Sequence, residues 1–286
     1  WAANSPQLPD SLLAKKKNAS RLPHIGMFCD EMRDSLRGPW GNDAKGAFVI
    51  GPMGYAAGVK FGLSGGIAHP QLVSDKESAV PAFWAAQPEQ MISYVSCHDD
   101  LCLADRLKAT LPGLSALEMN ALAKLAATAV FTSQGIPFWY AGDEILRDKQ
   151  GVANSYKSPD AINAINWGRK TSQRDFFDYV RGLIAMRKAH PSFRMGDADL
   201  VRKHLEFLPV DGSNVVVYRL KENANGDAWG DIIVVLNARK EPAKLTVPEG
   251  KYTVVCKDGF INEQGLGTLY GSEVVVPAQS ALIMYK

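Results

Sequence analysis

Met91-Ile-Ser-Tyr-Val-Ser-Cys-His-Asp-Asp100 is the stretch that decides how the chain is read. The apolar run Met91–Cys97 passes directly into three ionisable side chains. A short apolar run that ends in a polar turn is the pattern of a buried strand. Three adjacent ionisable groups beside such a strand are costly unless they are paired or put to chemical use. In parallel α/β folds, the C-terminal edge of the strands is also where active sites are built. His98 and Asp99 are therefore the leading functional candidates, with Asp100 beside them.

The pattern repeats outward in both directions. Upstream, Ile25–Cys29 is a short apolar run followed by Asp30-Glu-Met-Arg-Asp-Ser-Leu-Arg37, which reads as helix. Downstream, Ser115-Ala-Leu-Glu118 has capping-box spacing and opens an Ala/Leu-rich helix predicted to reach about Ser133. Gly135-Ile-Pro-Phe-Trp-Tyr-Ala141 reads as a third buried strand ending in Gly142-Asp143-Glu144. A further helix is predicted from about Gln173 to His190, with Phe177, Val180, Ile184 and Met186 on its apolar side. Strands alternating with helices predict βα units and a parallel sheet. Asp30, Asp143 and Glu144 share the strand-end position, where an Asp also serves as an ordinary helix cap.

Near Pro191 the composition changes. Runs rich in Val, Ile and Tyr follow, such as Asn214–Leu220, Asp231–Asn237, Tyr252–Cys256 and Glu273–Val276, with Asp211-Gly212, Asn225-Gly226 and Asp258-Gly259 as turn signals. A small antiparallel β-sandwich is expected there, which divides the chain into residues 1–195 and 196–286.

The 286 residues are 46% apolar, enough for a sizeable core, and the formal net charge of +2 leaves no strong field for nucleic acid or an anionic membrane. The longest apolar stretch, around Asn120–Phe131, is broken by Lys124 and is too short to span a bilayer. Four Cys without C-x-x-C spacing and five scattered His argue against a disulfide scaffold and against a metal site. The chain opens Trp1-Ala-Ala-Asn-Ser-Pro6 without Met, so residue 1 is not expected to be the start of translation.

Several of these motifs, in this order, resemble the α-amylase superfamily, and within it the type I pullulanases. Tyr94–Asp100 looks like the signature in which a His-Asp pair closes the seventh barrel strand, and Gly135–Glu144 resembles the eighth strand. Ile25–Gly38 is similar to the sixth strand and its helix. Arg147–Asp160, running on to Asn166-Trp167, resembles a pullulanase loop. The resemblance implies the part of a (β/α)8 TIM-type barrel around strands six to eight, followed by the β-sandwich. It implies a retaining hydrolase acting on α-1,6-glucosidic links of pullulan, branched starch or glycogen. Asp99 then matches the carboxylate that stabilises the oxocarbenium-like transition state, and His98 the residue that binds hydroxyls of the same glucose. Trp1 matches an aromatic that stacks on a neighbouring glucose, and Asn154, Tyr156 and Asp160 match the loop that shapes the branch-point pocket.

Two positions depart from the family pattern. Asp100 stands where Asn is usual, an added charge able to raise a neighbouring carboxylate's pKa, and Cys29 replaces another Asn. More consequentially, the two carboxyl groups that break the bond in this family have no match: no Gly-Phe-Arg-x-Asp segment occurs, and the alignment of Trp1 puts the general acid just upstream of it. The expected partners are accordingly an α-glucan and the missing N-terminal half of the same enzyme, and the fragment alone is expected to be inactive. No cofactor is implied; family members sometimes bind calcium, yet no Asp-rich loop of ligand spacing is present. The competing readings are an α-1,4-acting amylase or neopullulanase, and a non-catalytic glucan-binding module using Trp1, Trp40, Trp139 and Tyr156 as stacking surfaces.

Overall fold

The computed structural model describes residues 7–75 and 78–286. Its first layer is a three-stranded parallel sheet of β1 (Met27–Phe28), β2 (Met91–Ser93) and β3 (Ile136–Pro137), with β2 in the middle. Met27 pairs with Met91, and Ile92 pairs with both Phe28 and Ile136. The ladders are shorter than the apolar runs that carry them. Past Ser93 the chain bends out of the sheet toward His98, and Pro137 brings no N–H to the next rung. Gly135 lets β3 enter: a Cβ there would stand 2.6 Å from both Met91 Cε and Ser93 Oγ.

Helices cover this sheet. They are α1 (Asp30–Arg37), α2 (Ala56–Leu63), α3 (Leu103–Thr110), α4 (Ala116–Thr132), the short turns α5 (Asp160–Asn163) and α6 (Arg169–Ser172), then α7 (Arg174–Ala189) and α8 (Ala198–His204). The capping box of α4 forms as its sequence predicts, with Ser115 Oγ accepting from the Glu118 N–H and Glu118 from the Ser115 N–H. α7 also lies where expected, but its buried stripe is Phe176, Tyr179, Val180, Leu183 and Met186. Phe177 is only half-buried and Ile184 is 40% exposed. Arg187 explains the rotation. Its guanidinium must reach inward, donating to the carbonyls of Phe131 (2.9 Å), Ser133 (2.6 Å) and Gly135 (2.7 Å), which carries the core-facing stripe with it. A cation among carbonyls at the end of α4 satisfies acceptors that the helix leaves open.

The second layer is antiparallel: β4 (Leu205–Phe207), β5 (Val215–Leu220), β6 (Ile232–Asn237), β7 (Ala243–Lys257), β8 (Phe260–Ile261), β9 (Gly267–Val276) and β10 (Ser280–Tyr285), in the order β4-β5-β6-β10-β7-β8 with β9 on β7. The sequence predicts a sandwich; the two layers come from one continuous sheet. Between Thr246 and Gly250 the register of β7 with β9 shifts, and the outer arm of these two strands folds over the sheet. Ala243, Leu245, Val247, Val274 and Val276 thereby pack on Val217, Val235 and Met284. The opposite face, with Val216, Tyr218, Val234, Leu236 and Ile283, joins the core of the helices. β6 is buried on both faces, as its unbroken apolar run requires.

Candidate active site

The turn after β2 is held by buried ionic contacts. Arg37 of α1 donates to Asp100 Oδ2 at 2.8 Å and to the Leu101 carbonyl at 2.9 Å, with both side chains almost wholly buried. The added charge of Asp100 is therefore spent on Arg37, which the sequence comparison with Asn did not anticipate. Asp100 also takes a left-handed backbone, φ 63°, an uncommon conformation for a residue other than glycine. His98 and Asp99 are left in the open: their side chains are 65% and 30% exposed, with His98 Nε2 at 3.6 Å from Asp99 Oδ1.

Both face a cleft of about 440 Å³ at the C-terminal edge of the parallel strands, which also takes in Asp30, Arg33, Trp40, Tyr94 and Cys97. Asp30 opens α1, so its place follows from the strand–helix turn. Tyr94 donates to Asp30 Oδ1 at 2.6 Å, Arg33 donates to the same oxygen at 3.0 Å, and Arg33 also donates to the Tyr94 hydroxyl oxygen at 2.6 Å. Lys16 closes the ring at 3.3 Å from Asp30 and 2.8 Å from Glu31. Burial works against the charged form of Asp30. The Tyr94 hydrogen bond and the Lys16 and Arg33 charges outweigh it and hold the carboxyl below its usual range. Tyr94, buried and bonded to that carboxylate, has its phenol pKa pushed up. The Arg33 guanidinium lies 5.8 Å from the Trp40 ring and 5.5 Å from the Tyr94 ring, which fixes Trp40 as an aromatic wall.

Asp143 stands in the opposite electrostatic condition. It is fully buried and accepts the Ser96 hydroxyl, and among the described residues no donor reaches Oδ1 in full hydrogen-bond geometry. Burial pushes its carboxyl up to about 7; Glu144 adds to this, while the Ser96 hydroxyl, the Leu103 N–H and the Arg37 charge oppose it. Because the folded value lies above the unfolded one, the stability this group contributes is whole below about pH 4 and is lost as pH rises through about 7. Asp143→Asn should therefore match the parent's melting temperature near pH 3.5 and exceed it by roughly 2–6 °C at pH 8. Identical curves at both pH values would show that Asp143 keeps no such proton. Glu144, by contrast, accepts the Gly142 N–H of its own turn, at 3.0 Å.

The remaining sequence candidates are dispersed. Trp1 lies outside the described residues. Asn154, Tyr156 and Asp160 are exposed on a loop whose residues do not line the cleft, with Tyr156 79% exposed. The loop is organised by Asn163, which donates to the carbonyls of Ser155 (2.6 Å) and Ser158 (2.9 Å) and accepts the Ser155 hydroxyl (2.8 Å). Trp139 is half-buried and does not line the cleft; it packs against Phe131 and Phe176 at the edge of the core. Arg33, Lys16 and the hydroxyl of Tyr94 escaped sequence reasoning. The available signal was spacing, since Arg33 sits three residues after Asp30 on the same helical face.

With this geometry in hand, similarity becomes informative. The family model "Pullulanase, all-beta domain" matches residues 201–259. The pullulanase of Bacillus subtilis strain 168 is 34% identical over 264 residues, covering 92% of this chain and 35% of that protein. Among solved structures, the pullulanase of Bacillus acidopullulyticus superposes with a TM-score of 0.90 at 34% identity, covering 100% of this chain and 33% of that one. The Paenibacillus barengoltzii pullulanase, in complex with maltohexaose and α-cyclodextrin, gives 0.87 at 37% identity, covering 98% and 41%. The fold and the site thus define a relative of the glycoside hydrolases of the α-amylase superfamily. Within that class the chain is homologous to the pullulanases over nearly all of its own length, and it spans about a third of theirs.

Proposed function

We propose that the chain forms the part of a (β/α)8 barrel around strands six to eight, residues 1–195, with a β domain over 196–286, in a retaining hydrolase that cleaves α-1,6-glucosidic links of branched α-glucans. The observation that carries this reading is the convergence of Asp99 and His98 on one cleft at the C-terminal edge of parallel strands, where barrel enzymes do their chemistry. Asp99 binds sugar hydroxyls most strongly as the ring flattens toward the oxocarbenium ion, and His98 holds the same ring. Arg33 and Tyr94 keep Asp30 ionised and fixed, and Trp40 offers a stacking face. The exposed Tyr156, with Asn154 and Asp160, is assigned to the branch-point side. The maltohexaose and α-cyclodextrin bound by the Paenibacillus relative support an α-glucan as the ligand.

A retaining mechanism needs two carboxyl groups about 5–5.5 Å apart, and no matching pair is encoded here. The nucleophile and general acid are therefore assigned to polypeptide outside these 286 residues. The chain alone should release no reducing ends from pullulan, and adding the proposed N-terminal half of the enzyme should restore release, with maltotriose as product. Turnover by the chain alone would place the carboxylates wrongly. Glucan binding without turnover in the reassembled protein would favour a binding module.

A further inference from the structure

We propose that Cys97, His98 and Asp99 form a tripodal site for a thiophilic divalent cation of the zinc class, bound at the mouth of the cleft. Among the described residues, theirs are the sulfur, nitrogen and carboxylate donors that converge in this way, all within 4.8 Å of one another. Consecutive residues ordinarily alternate in direction. Here the chain has left the β2 ladder, which ends at Ser93, and the strict alternation no longer holds, so three neighbouring donors lie close together.

The donor set is selective. A thiolate, an imidazole and a carboxylate suit zinc, whereas calcium and magnesium prefer oxygen alone. Three protein donors leave a fourth tetrahedral position open toward the cleft, where water or a sugar hydroxyl would complete the shell. Cys97 lines this cleft, while Cys29, Cys102 and Cys256 are buried; Cys29 meets Glu31 at 3.5 Å and Cys102 meets Asp105 at 3.2 Å, but among the described residues neither belongs to a group of three donors. The Cys97 thiol rests against the Asp99 carbonyl at 3.6 Å. Burial foremost, and then the Asp99 charge, favour its protonated form, against the pull of Arg37 and Arg33. Metal binding breaks the S–H bond, forms the metal–sulfur bond and releases one proton to solvent. The opposing charges are Arg37, held by Asp100 at 2.8 Å, and Arg33, held by Asp30 at 3.0 Å.

His98 and Asp99 are the residues assigned above to the glucose ring, so the cation and the glucan would compete. That consequence rests on the proposed function; the metal site itself does not. The test is titration of the protein with Co²⁺ as the probe, read by thiolate-to-cobalt charge-transfer absorption, and then displacement by Zn²⁺. One equivalent should produce the band and one proton should be released. Cys97→Ser should abolish the band and weaken Zn²⁺ binding at least about tenfold, and His98→Ala should weaken it as well. Far-ultraviolet circular dichroism of each variant separates loss of ligand from loss of fold. No band, or Co²⁺ held equally by Cys97→Ser, overturns the site. A second arm repeats the titration with maltotriose. If the band forms normally but maltotriose does not shift the midpoint, the metal site stands and the glucan assignment of His98 and Asp99 falls.

Discussion

Replacing Asp99 by Asn in the complete enzyme is expected to lower kcat on pullulan at least about a hundredfold, with a much smaller change in oligosaccharide affinity. Asn keeps the shape of the side chain and removes its charge. A carboxylate 30% exposed at the cleft gains little from a neutral sugar in the ground state. Its advantage appears when positive charge develops at the anomeric carbon, so the loss belongs to the chemical step. His98→Ala should divide differently, with a milder rate loss and a clear rise in KM, because an exposed imidazole acts by binding hydroxyls in both states. Steady-state kinetics together with calorimetric binding of maltotriose separates the two. An Asp99→Asn variant whose entire loss lies in KM would remove the transition-state role.

The second large effect concerns folding. Arg37→Ala is expected to lower unfolding free energy by about 3–5 kcal/mol in urea titrations, because it leaves Asp100 buried and without its counter-charge. Asp100 is only 5% exposed, so water cannot take the place of the guanidinium. The Leu101 carbonyl loses its donor in the same step. Replacing both partners with uncharged residues, Arg37→Met with Asp100→Asn, whose side chain tolerates the left-handed backbone, should recover most of the loss. A single variant that falls by less than about 1 kcal/mol would mean that the pair is worth no more than one at the surface. The double replacement is also informative for activity, since the pair sets the turn from which His98 and Asp99 project.

What the sequence made legible was whatever local rules determine. The helix from Asp30 follows from a strand ending in an acid, the start of α4 from Ser115 and Glu118, and the projecting His98 and Asp99 from an apolar run that stops in charge. Contacts between distant segments were not legible. Nothing near Arg187 announces that it will reach three carbonyls before β3, and so the sequence identifies Val180 and Met186 on the buried stripe of α7 but puts Phe177 and Ile184 where Phe176, Tyr179 and Leu183 lie. Asp100 read as a departure from Asn until Arg37, 63 residues earlier, was found beside it. The convergence of Cys97 with its two neighbours was equally hidden, because motif spacing assumes regular helix or strand and this turn is neither. The folded-over arm of β7 and β9 depends on a register shift near Gly250 that no alternation pattern records.

The core of the helices runs without a break into one face of the antiparallel sheet, where α4 packs on β6 and β10 and α2 on β5. Tyr218 even donates its hydroxyl to the Thr132 carbonyl at the end of α4. The β-rich tail is therefore not a transplantable cassette. A sheet borrowed from a relative would meet α4 with the wrong ridges, and a chimera joined at the bend in composition near Pro191 would have to carry the matching surfaces of α2 and α4 with it.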